Sequence, residues 1–134
     1  MPLKLEEVQK LIAAAHKKSA ELGIKVTVAV VDEAGNLQGL LRMDGAPPMS
    51  PQVAEAKAYG CAWTGRDGEA LAQVYKDRPG FFAVIKELAR TPLVPGLGSA
   101  LIKRGDSIVG AVGVSGGKPE QDLDCCHAGL AALP

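Results

Sequence analysis

KVTVAVVDEAGNLQGLLRM, residues 25–43, places a dense β-branched run (25–32) and a second apolar run (37–43) on either side of Glu33-Ala34-Gly35-Asn36. β-Branched side chains suit a pleated surface, and Gly and Asn accept the left-handed backbone of a tight turn. The stretch therefore reads as an antiparallel hairpin. A second hairpin follows near the other end, where SALIKRG and DSIVGAVGVSG meet at Arg104-Gly105-Asp106.

Working outward, the remaining segments read mainly as helices. In residues 3–22, Leu5, Val8, Leu11, Ile12, Ala15, Ser19 and Leu22 recur at helical spacing while most lysines fall elsewhere, and Gly23 is a suitable stop. Ser50-Pro51 marks a helix entry, and residues 52–63 carry the pattern until Gly65, Asp67 and Gly68 interrupt it. It resumes over 68–76, breaks at Arg78-Pro79-Gly80, and returns over 81–90. Residues 91–100 read as loop turning to strand, and 119–132 as a closing helix. This order predicts an α+β fold, an antiparallel sheet flanked by helices, as a single domain over 1–134.

Composition excludes several classes. Formal charge is zero, so nothing suggests nucleic acid or an anionic membrane as a partner. No apolar run approaches the roughly 20 residues of a membrane span. The first residues, MPLKLEEVQK, lack the layout of a signal peptide, and three cysteines fit a reducing compartment better than a disulfide framework. A cytoplasmic location is expected, although an export signal already removed would leave no trace here.

Several residues stand out as site candidates. Gly110, Gly113, Gly116 and Gly117 either bring backbone N–H groups to a small anion, with Ser115 adding a hydroxyl, or serve close strand packing and a turn. Asp122 brackets the last helix with Ser115; it is a site group or a complement to the helix dipole. Arg42, Asp44 and Lys57 are charges beside apolar segments, able to hold a carboxylate or to form a structural network of Arg42 with Asp44 or Asp32. Tyr59 and Trp63, four apart, share a helix face, and line a ligand or pack in the core. Cys125-Cys126-His127 is poor metal geometry, because helical neighbours point about 100° apart, and no metal site is assigned there.

Four segments carry a family resemblance: VAVVDEAGNL (28–37), RMDGA with the Ser-Pro helix start (42–51), EAKAYGCA (55–62) and GAVGVSGGKPEQD (110–122). In order and spacing they resemble the GlcG/HbpS family, the haem-degrading-domain family that includes the C-terminal domain of PduO-type proteins. The resemblance implies a profilin-like or roadblock-like α/β sandwich that forms homo-oligomers. It also implies a small-molecule ligand, haem or a related tetrapyrrole, in a pocket near a subunit interface, and an accessory role in catabolic pathways. Residues 91–100, where the family usually carries a Gly-Gly-x-Pro element, read Thr91-Pro92-Leu93-Val94-Pro95-Gly96-Leu97-Gly98-Ser99-Ala100 and depart from it.

If haem is the ligand, His16 is the axial candidate, since imidazole is a common protein ligand to haem iron; a helix-edge packing role is its alternative. Arg42, Asp44, Lys57, Tyr59, Ser115, Gly116 and Asp122 are the further ligand-binding candidates. Two rival readings stand beside ligand binding. One is an enzyme acting on a small organic acid or aromatic catabolic intermediate in the same pocket. The other is a purely structural assembly subunit.

Overall fold

The computed structural model describes all residues 1–134. Four strands form one antiparallel sheet: β1 (Thr27–Asp32), β2 (Leu37–Arg42), β3 (Ser99–Arg104) and β4 (Ser107–Ser115), in the order β2-β1-β4-β3. Both hairpins expected from the sequence are present. In the first, Asp32 closes the turn by accepting the Ala34 and Asn36 amides on Oδ1, each at 2.9 Å, while Gly35 supplies a φ of +83°. In the second, Gly105 turns at φ +58°.

Helices cover both faces of the sheet. On one face, α1 (Leu5–Glu21) and α5 (Pro119–Ala131) bury Val8, Leu11, Ile12, Cys125 and Cys126 against Val28, Val30, Val112 and Val114. On the other, α2 (Ser50–Thr64) packs Ala58 and Cys61 on Val31, Leu101 and Ala111. Central β1 is thus buried on both sides, which is why its sequence is a continuous apolar run rather than an alternation. Edge strand β2 has a neighbouring strand on one edge only and stays largely exposed at Leu37, Leu41 and Arg42.

The region after α2 differs in detail from the sequence reading. Gly65, at φ +69°, ends α2, and α3 spans Gly68–Asp77. The helix expected over 81–90 instead starts at Pro79 and stops at Ile85 as α4, followed by a 3₁₀ turn at Lys86–Leu88. Proline is preorganised for a first helical turn, so it opened the helix rather than merely breaking the chain.

α2 lies unusually close to β4. A Cβ on Gly113 would run into the Ala54 carbonyl and stand 2.8 Å from the Ala58 nitrogen, both backbone atoms of α2. Backbone cannot rotate aside as a side chain can. Gly113→Ala is therefore expected to cost about 1–3 kcal/mol, read as a lower urea midpoint at unchanged slope.

Candidate functional site

The close seat of α2 carries Lys57 to the end of β4. Its Nζ donates to the Val114 carbonyl at 2.9 Å, the Leu97 carbonyl at 3.0 Å and Asp122 Oδ2 at 3.4 Å. All three ammonium protons are thereby placed. Asp122, in the first turn of α5, accepts the Gly117 amide on Oδ1 at 2.8 Å. Burial pushes the Asp122 carboxyl upward, against the pull of the Gly117 amide and Lys57. Lys57 and Asp122 are both buried, and the pair links α2, α5, β4 and the loop ahead of β3.

Gly98 makes this junction possible. It sits at φ +94°, where a Cβ would stand 2.6 Å from Asp122 Cβ and 3.1 Å from Lys57 Nζ. The 91–100 segment, atypical in sequence, thus supplies a glycine and a carbonyl to the buried pair. Gly116, at φ +145°, has the Val26 Cα 2.8 Å from where its Cβ would be, so it serves a close backbone crossing.

The other candidates fall in three further places. Arg42, Thr27 and Ser115 stand opposite one another across β2, β1 and β4 on the sheet face that α2 covers. In that row, Ser115 is buried and Thr27 Oγ1 lies 2.7 Å from Ser50 Oγ. Exposed Arg42 donates through both Nε and Nη2 to the Ala46 carbonyl, rather than to Asp32 or Asp44. Asp44 is exposed on the loop beyond. Tyr59 is buried, stacked on Trp63 with centroids 6.4 Å apart, and Arg90 lies 5.0 Å over its ring. Arg90 was not singled out in the sequence, and no local signal marks it.

His16 occupies the opposite face. It is half-buried on α1, with Nε2 3.2 Å from the Leu41 carbonyl of β2. A carbonyl only accepts, so Nε2 is assigned the proton and Nδ1 keeps a lone pair. Desolvation holds the ring below the usual histidine pKa, so it is neutral at pH 7. Beside it runs an open groove of about 380 Å³ between α1 and β2, with walls from Leu5, Val8, Ile12, Gly39 and Leu41. Gly39 keeps it narrow, since a Cβ there would stand 2.7 Å from Val8 Cγ1. Cys61 and Cys125 are free, buried thiols pushed up to about 11 by desolvation.

The polar cluster is closed on itself, whereas the α1/β2 groove is open, apolar and fitted with a neutral imidazole. An antiparallel sheet between helical layers defines a small α+β fold. The chain matches the sequence model of the haem degrading protein HbpS-like family over residues 3–131, and it belongs to that family. It is 27% identical over 133 residues to the corrinoid adenosyltransferase PduO of Citrobacter freundii, covering 99% of this chain but 39% of that protein. It is similar to the crystal structure of a PduOC:heme complex, with TM-score 0.89 and 27% identity over 99% of this chain and 96% of that one. The crystal structure of HbpS gives TM-score 0.89 and 30% identity, covering 100% of this chain and 92% of the other.

The buried pair yields a direct test. Asp122→Ala leaves the Lys57 ammonium uncompensated and is expected to cost about 3–5 kcal/mol. The double variant Lys57→Met/Asp122→Leu removes both charges but leaves the Val114 and Leu97 carbonyls without their donor, so it should recover only part of that loss. Urea denaturation of the three proteins measures the difference.

Proposed function

We propose that this chain binds haem or a related tetrapyrrole in the groove between α1 and β2, with His16 as the axial ligand. The observation that carries the reading is a neutral, half-buried imidazole beside an open apolar groove. A tetrapyrrole needs an apolar wall for its macrocycle and a donor for its metal. Leu5, Val8, Ile12 and Leu41 provide the wall, and His16 the donor. Hydrogen bonding to a backbone carbonyl is the usual way a protein orients a metal-binding imidazole, and the Leu41 carbonyl offers that contact. When bound, haem brings its own ligand-exchange and redox chemistry. The protein's residues bind it, orient it and exclude water from one face.

The groove is open toward solvent, and Leu5 and Leu41 on its walls are 64% and 58% exposed. Exposure on this scale beside an unpaired strand edge supports a homo-oligomer in which a second copy closes the site. Three buried free thiols favour a reducing compartment such as the cytoplasm. The similarity to the PduOC:heme complex supports the ligand class. No arrangement of groups specifically favours catalysis, since Lys57 and Asp122 are spent on one another.

Haemin titration tests the assignment. A saturable Soret shift is expected, and His16→Ala should weaken binding by about tenfold or more, the scale of a lost ligand or its support. An unchanged titration in that variant would remove His16 from the site. Protons compete with iron for the ring. Because the His16 pKa lies below the usual histidine value of 6.5, the shifted Soret band should persist to lower pH than free imidazole ligation allows, then vanish as the ring protonates.

A further inference from the structure

A second concavity lies far along the chain from His16, where the C-terminal end of α2 meets α3 and α4. Its volume is about 190 Å³, half that of the α1/β2 groove and small for a tetrapyrrole. Leu71 and Phe82, 2% and 6% exposed, form the inner wall. Trp63 and Phe81, 37% and 42% exposed, stand at the opening. Aromatic walls favour another ring, which gains from offset or edge-to-face contact beyond simple burial.

Only two polar residues line this cavity, Thr64 and Arg66. The Thr64 hydroxyl already donates to the Gly60 carbonyl at 2.7 Å. Arg66 is different: it is exposed, and it enters neither of the two ion pairs in the chain. The adjacent Asp67 makes no ion pair with it; its Oδ1 accepts the Leu101 amide at 2.8 Å. The neighbouring cation is committed as well, with the Arg78 guanidinium stacked 4.0 Å over the Phe81 ring. What remains is an aromatic cavity the size of one ring, with an exposed planar cation in no ion pair among its lining residues. A guanidinium pairs best with a carboxylate, through two parallel hydrogen bonds.

We propose that this cavity is a binding site for a small aromatic monocarboxylate, its ring between Trp63, Phe81 and Phe82 and its carboxylate on Arg66. The site is separate from the α1/β2 groove and does not depend on haem binding there.

Trp63 is the single tryptophan of the chain, so its fluorescence reports directly on the cavity. Titration with benzoate at pH 7 should give a saturable change, and benzamide, its neutral isostere, should bind about tenfold more weakly or worse. Arg66→Gln should lower benzoate affinity by about tenfold or more while leaving benzamide within about twofold, because only the charge-assisted pair is lost. Haemin titration of the same variant, read at the Soret band, should match the wild type. That match shows the variant is folded and separates this site from the groove. No saturable fluorescence change with benzoate would overturn the proposal. So would an equal loss of benzoate and benzamide in Arg66→Gln. Sedimentation as a dimer that Val84→Glu dissolves, together with no benzoate response, would instead assign this face to a protein contact and overturn it too.

Discussion

The distance between α2 and β4 governs the polar half of this molecule. At position 113 the strand has no side chain, and the helix backbone at Ala54 and Ala58 occupies the space one would need. With the helix that close, Lys57 reaches past the end of the strand and finds two carbonyls and a carboxylate. Burying an ammonium and a carboxylate is expensive, and their attraction offsets the cost only when the remaining donors and acceptors are satisfied. Here the lysine has three acceptors, and the aspartate has a backbone amide besides the lysine. The pair fixes four segments to one another at a point where no apolar side chain could satisfy the exposed strand-end carbonyls.

That closed junction explains why the two faces of the sheet do different work. Under α2 the polar residues mostly turn inward and meet one another: Thr27 with Ser50, Lys57 with Asp122. Under α1 the edge strand β2 lacks a neighbour, and Gly39 and Leu41 leave a groove rather than a filled interface. A site that must admit a ligand needs surface that folding has not already consumed. The α1/β2 groove and the cavity beside Trp63 both have such surface, and the Lys57–Asp122 junction does not.

Most of the architecture was legible in the sequence because it rests on local periodicity. The β-branched run of residues 25–32, the glycines at 35 and 105, and the apolar stripe of residues 5–19 each report short-range geometry. The match of four segments to one family was legible for the same reason, since spacing along the chain is preserved when the fold is. The start of α4 was less so. Proline at 79 is compatible with both a break and a helix start, and only packing against α3 distinguishes them.

The sequence by itself determined two hairpins, the helices between and around them, one α+β domain, and the short list of charged and aromatic residues worth following. Tertiary structure alone decided which of those residues meet. Lys57 and Asp122 lie 65 positions apart, His16 and the Leu41 carbonyl 25, and Arg90 reaches Tyr59 across 31. Arg42, which invited pairing with a nearby aspartate, bonds a backbone carbonyl instead. Main-chain carbonyls carry no mark in an amino-acid sequence, and the partners of Lys57, His16 and Arg42 include such carbonyls. Their positions exist only once strands and helices have packed.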